Sequence, residues 1–186
     1  NYRRWTKEVR KEDGVVRLVF GLGTRCVGRE YARTFSLTDL DLRPEGHNSW
    51  SIAKYSQERF DALDLVSGNI RVFNINQKLS ILKYHPCFNQ YGQIYRAAKE
   101  QIEDFTGTQL PTLGSRDKIV LTFQNFARLH PDFFRLIVTL MTTLEKELGL
   151  PVDIEFTYDP EERLFSLVQM RPLPSYEEYR SVQIPP

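Results

Sequence analysis

A chain of 186 residues, 41% hydrophobic and 26% charged, has the composition of a folded globular protein, which excludes wholesale disorder, collagen-like sequence and coiled coil. Its 25 Lys+Arg against 24 Asp+Glu leave a formal net charge of +1, without the basic excess of a dedicated nucleic-acid binder. No apolar run approaches the ~18 residues of a membrane span, so neither nucleic acid nor a membrane is expected as a partner.

The first stretch, Asn1 to Gly14, is polar and carries five basic residues before any apolar run (Arg3, Arg4, Lys7, Arg10, Lys11). It lacks the apolar core of a signal peptide. Two cysteines, Cys26 and Cys87, are too few for a disulfide scaffold and read as reduced thiols of a cytoplasmic protein. Val15 to Phe20 is rich in β-branched and aromatic residues and ends at Gly21, the pattern of a buried strand running into a turn. Leu63–Val66 and Ile70–Ile75 flank Ser67-Gly68-Asn69 and read as a hairpin. Tyr91, Ile94, Tyr95, Ala98, Ile102 and Phe105 recur at helical spacing and predict an amphipathic helix over 89–105, stopping near Gly107. Ile119 to Phe123 is a further short strand.

The strongest helix signal runs from Pro131 to Leu148. Phe133, Ile137, Leu140, Met141, Leu144 and Leu148 fall on one stripe; Pro131 suits the first turn, Asp132 the positive end of the dipole and Gly149 the C-cap. The stripe, Met141 included, is expected to be core packing. These elements predict an α+β domain, a mixed or antiparallel sheet with packed helices, over residues 15–173. Residues 1–14 form a flank and 174–186 a proline-punctuated tail, and both ends look cut from a longer polypeptide.

The last two strands carry the candidate chemistry. Val152 to Asp159 and Arg163 to Pro172 both alternate around a turn at Pro160-Glu161-Glu162. Ile154, Phe156 and Tyr158 point one way, with Leu164, Val168 and Met170 as expected partners across the hairpin. With a five-residue loop, Glu155 faces Gln169 and Asp153 faces Arg171; a one-residue change would turn Gln169 to the wrong face. That register gathers a carboxylate, an amide oxygen and a guanidinium. Mg²⁺ prefers such hard oxygens, few in number and completed by phosphate oxygens. Arginine supplies a planar fork for phosphate. The same groups equally suit a solvated hairpin face with a surface salt bridge.

The run Val152-Asp-Ile-Glu-Phe156 followed by Leu167-Val-Gln-Met-Arg-Pro172 resembles the closing motif of the nucleotide-binding domain in the phosphoenolpyruvate synthase and pyruvate phosphate dikinase family, where a "DIE" strand precedes an "LQ-x-RP" strand at the end of an ATP-grasp fold. Glu147-Leu-Gly-Leu-Pro151 and the turn Gly21-Leu-Gly-Thr-Arg25 are similar to that family in the same order, although many members carry an acidic residue after the second glycine where this chain has Thr24 and Arg25. The resemblance implies the C-terminal subdomain of an ATP-grasp fold, with ATP and Mg²⁺ as cofactors. Glu155 and Gln169 match the metal-holding positions, Arg171 matches the catalytic arginine that contacts the phosphates, and Asp153 belongs to the same motif. It also implies partners: an upstream ATP-grasp half, a phosphohistidine domain, and a small-molecule acceptor, pyruvate by default. The parent would then be a phosphotransferase, and this piece alone folded but catalytically incompetent. A non-catalytic nucleotide-binding or interaction module, and a dikinase acting on another acceptor such as a glucan or an antibiotic, stand as alternatives.

Other constellations are weaker. His47, His85 and His130 are too dispersed for a zinc site. His85 in Tyr84-His-Pro-Cys87 reads as packing, and His130 as a helix-boundary residue. Gly21-Leu-Gly23 is neither a P-loop nor a dinucleotide fingerprint. Arg25, Arg29 and Arg33, four residues apart, are expected on a solvated face.

Overall fold

The computed structural model describes residues 9, 13–27, 32–78, 82, 84–105 and 112–173. The expected basic flank, Arg29, the stop near Gly107 and the 174–186 tail lie outside or almost wholly outside these. The fold is mixed α+β, with small antiparallel sheets and a few helices. Contacts divide the chain into two compact units, Asn1–Leu129 and His130–Pro186. Among the described residues no helix is long and apolar enough to cross a membrane.

In the first unit, β1 (Val15–Leu18) pairs antiparallel with β2 (Arg33–Ser36), and α1 (Thr24–Val27) lies between them in sequence. The helix α2 (Ser49–Lys54) starts at Asn48, whose side chain accepts from the backbone N–H groups of Trp50 and Ser51. This is the capping that a short polar side chain offers to a helix start. The predicted hairpin is present as β3 (Arg59–Asp64) and β4 (Asn69–Asn74), but its first arm starts and ends earlier than the apolar run suggests, so that Leu65 and Val66 lie in the turn. A short helix α3 (Phe88–Tyr91) leads into β5 (Gly92–Arg96), which sits between β6 (Gln101–Glu103) and β7 (Lys118–Leu121) in a three-stranded sheet. The helix α4 (Gln124–Leu129) closes the unit. Phe35, Ile75, Ile119 and Val120 are wholly buried. Phe20 packs among Phe60, His85, Phe88 and Tyr91 at centroid distances of 5.2 to 5.8 Å. His85 is therefore a packing residue, as expected.

The helix predicted over 89–105 is instead α3 followed by the β5–β6 hairpin. Tyr95 faces Ile102 and Ile94 faces Glu103 across it, so the seven-residue spacing that mimics two helical turns is a cross-strand pair. The strand wins because β7 supplies a partner: Ile94 pairs with Ile119, and both are buried. Asp117 then anchors the turn, accepting from Ala97 N–H at 2.9 Å and from Arg96 Nη1 at 3.0 Å. Local periodicity gives way to tertiary pairing.

The second unit contains α5 (Pro131–Leu148), β8 (Val152–Asp159) and β9 (Leu164–Pro172). The helix has the predicted limits, with Pro131 in its first turn and Gly149 in the left-handed conformation donating its N–H to Glu145 O. His130 stands at the N-cap position, the boundary role expected of it. Burial of the stripe is confined to the first turns. Phe133 and Ile137 are buried, Leu140, Met141 and Leu144 are only partly covered, and Leu148 is exposed. Phe133 supplies the anchor, packing against Tyr158 at 4.7 Å and Phe156 at 5.7 Å.

Candidate functional site

An isolated two-stranded hairpin is marginal in water, so the β8–β9 pair depends on its apolar face. That face carries Ile154, Phe156 and Tyr158, as alternation predicts, but their partners differ from two of the three expected. Met170 faces Ile154, whereas Leu167 and Phe165 face Phe156 and Tyr158. Leu164 stands opposite Asp159 and is exposed. Phe165 also stacks on Phe156 at 5.2 Å.

The reason lies in the turn. Asp159 pairs with Leu164, so four residues, not five, connect the strands, and Asp159 Oδ1 accepts from the N–H groups of Glu161 and Glu162. An uninterrupted ladder from that turn would set Glu155 opposite Val168. A β-bulge intervenes between Glu155 and Phe156, and Val168 is the extra residue. Beyond it the register becomes Glu155 opposite Gln169 and Asp153 opposite Arg171, the facing derived from the sequence by a different loop length. Bulges re-aim side chains in this way, and they concentrate beside functional sites.

The polar face therefore presents Glu155 and Gln169 as one cross-strand pair and Asp153 and Arg171 as the next pair on that face. Arg171 donates from Nε and Nη2 to Asp153 Oδ2 at 3.0 and 2.6 Å. Its Nη2 lies 4.0 Å from Glu155 Oε1. Donation to Asp153 first, and the two carboxylate charges with it, hold the Arg171 guanidinium above its ordinary value. The three side chains are 35% to 53% exposed, so the face is open to solutes. Asp153 takes the Nε–Nη2 edge through a single oxygen. A guanidinium has five donors, which leaves capacity for a second oxyanion.

These donors suit Mg²⁺ only in a particular way. Among the described residues no group of three or more His, Cys, Asp and Glu is placed to form a protein cage for a metal. Glu155 and Gln169 supply two hard oxygens side by side, a set that Mg²⁺ uses together with phosphate oxygens and water. The donor set fits a metal delivered with a phosphate ligand.

The glycine turn belongs to the other unit and follows β1, as a strand running into a turn. Gln57 brackets Phe20, accepting its N–H and donating to its carbonyl, both at 2.9 Å. Leu22 N–H donates to Asp61 O at 2.9 Å. Arg25 Nη2 lies 2.6 Å from Asp61 Oδ1, with both side chains largely buried. Arg25 thus clamps the turn to β3 and does not lie on a solvated face. Arg33 is also buried, at 6% exposure, because it begins β2 and does not continue a helix from α1. Asp61, missed in the sequence, has one legible signal: a lone acidic residue between Phe60 and Ala62 in a strand-like run.

No protein-family model, no curated protein and no solved structure matches this chain.

Proposed function

We propose that the β8–β9 hairpin binds the metal and phosphates of MgATP, as part of the ATP-grasp domain of a phosphoenolpyruvate-synthase-like dikinase. The observation that carries this reading is the bulged register, which places Glu155 beside Gln169 and Arg171 one pair away on an open face. In this role Glu155 and Gln169 hold Mg²⁺, which supplies charge neutralisation between phosphate groups. Arg171 approaches the phosphates from its outer edge, and Asp153 orients that guanidinium. Phosphoryl transfer relies on such positioning and charge neutralisation. The motif resemblance supports ATP as the nucleotide, a phosphohistidine as relay and a small acceptor such as pyruvate.

The test is MgATP titration of the full-length protein with Glu155→Ala and Arg171→Ala. Each change removes a charge-assisted contact and is expected to weaken binding by about tenfold to a hundredfold. Glu155→Ala should also shift half-saturation by Mg²⁺ upward. Unchanged nucleotide affinity in both variants would overturn the assignment.

A further inference from the structure

The first unit contains two buried guanidinium groups whose hydrogen bonding is incomplete. Arg33 stacks its guanidinium over the Phe35 ring at 4.0 Å. Its Nη1 and Nη2 donate only to backbone carbonyls, those of Thr34, Leu40 and Leu42. Arg43 follows Leu42 in the chain and donates from Nη2 to Gln124 Oε1 at 2.6 Å. Its side chain is 9% exposed. Among the described residues, Arg33 Nε and Arg43 Nη1 are the buried side-chain polar atoms that lack an acceptor. A buried N–H without a partner is costly, and more so on a charged group. Burial first, and the neighbouring charge of Arg43 second, push the Arg33 guanidinium down to about 9, so it stays charged at neutral pH.

The carboxylates nearby do not complete the set. Glu45 Oε1 lies 3.5 Å from Arg43 Nη1, an ion pair without a hydrogen bond. Asp41 accepts from Gln124 Nε2 at 3.2 Å. Glu45, its side chain 15% exposed, is the carboxylate set against Arg43 Nη1 and so the group that an incoming anion would displace.

We propose that Arg33 and Arg43 form a site for a small phosphate-type oxyanion, which exchanges with the Glu45 carboxylate and accepts from Arg43 Nη1 and Arg33 Nε. Paired arginines suit an acceptor with several oxygens better than a single water. The site lies apart from the nucleotide-binding hairpin in sequence and stands without that reading. Its source is either free phosphate or the head of a phosphomonoester.

Inorganic phosphate and methyl phosphate, titrated separately into the full chain with isotope-labelled arginine, test the site. Chloride keeps the ionic strength constant while Arg Nε–Hε resonances and Tm are followed. A saturable shift of the Arg33 resonance with a rise in Tm is expected. Arg43→Gln should weaken it by about tenfold or more, the loss of one charge-assisted hydrogen bond. Glu45→Gln should tighten it by removing the competing carboxylate. Binding of inorganic phosphate alone supports the site with the free anion as its source; equal binding of methyl phosphate supports it with a phosphomonoester. No saturable change with either anion, or a response that Arg43→Gln leaves intact, overturns the proposal. If Arg43→Gln fails to fold, Glu45→Gln decides alone, and unchanged or weaker affinity overturns it.

Discussion

Replacing Gly21 by alanine tests whether the glycine turn is locked to β3. Gly21 has φ of +90°, and a Cβ there would meet Asp61 O at 2.7 Å and Phe60 Cβ at 3.1 Å. The Asp61 carbonyl cannot retreat freely, because the same oxygen accepts the Leu22 N–H at 2.9 Å. Left-handed backbone costs an L-residue roughly 1–2 kcal/mol, and forcing a methyl into filled space roughly 1–3 kcal/mol. The reduced entropy of the unfolded chain returns about 0.4–1 kcal/mol. Gly21→Ala should therefore destabilise the unit by about 3 kcal/mol. At about 2 kcal/mol per molar urea, the unfolding midpoint falls by ~1.5 M. Gly23→Ala is the control two residues away, since a Cβ there meets nothing within 4 Å and its φ is not in the left-handed range. Its midpoint should stay in place or rise slightly. Urea unfolding of the full chain, followed by circular dichroism and by tryptophan fluorescence, reads both. Equal midpoints for the two variants would refute the close approach of the turn to β3.

Two further outcomes follow from the charges. The Arg25–Asp61 pair is largely buried, and breaking a buried pair by removing one partner costs about 3–5 kcal/mol. A double-mutant cycle of Arg25→Gln with Asp61→Asn should return a coupling above about 1.5 kcal/mol, and a value near zero contradicts the clamp. Desolvation first, then the charge of Arg163, hold His130 below its ordinary 6.5. A group whose folded pKa is depressed stabilises above its unfolded value, and that share is lost as pH falls through the folded pKa. The second unit should therefore lose stability below about pH 6.5, a loss that His130→Gln removes. Imidazole resonances titrating at or above 6.5 for His130 would contradict this.

The legible parts of the fold were those whose signals are local. Pro131, Asp132 and Gly149 bracket α5 with chemistry that acts within one turn, so its limits could be read directly. The β5–β6 hairpin could not, because its identity is decided by the pairing of β5 with β7, which lies far from β5 in the chain. Tyr95 and Ile102 satisfy a helical period and a cross-strand pair alike, and only the presence of Ile119 and Val120 beside β5 selects the strand. Arg25 and Arg33 show the same limit. Their regular spacing suggests a solvated stripe, while Asp61 for Arg25 and the carbonyls of Leu40 and Leu42 for Arg33 draw both inward.

The candidate site was legible for a different reason. Alternation fixes which residues of β8 share a face, and the polar residues of β9 announce which of its positions must answer them. Two routes lead to the same facing: a five-residue loop with a regular ladder, or the four-residue loop and bulge that the molecule uses. The routes differ in the apolar residues. A regular ladder would send Leu164 and Val168 to other positions than those found, whereas the four-residue turn gives the apolar face to Phe165 and Leu167 and the bulge leaves Val168 65% exposed. Val168, left in water, stabilises nothing by burial, but the same bulge brings Met170 opposite Ile154 on the apolar face. It also sets Gln169 across from Glu155 and Arg171 across from Asp153, four side chains that the turn alone would have misaligned by one residue, so one extra residue aligns the polar and the apolar face of this end of the hairpin together.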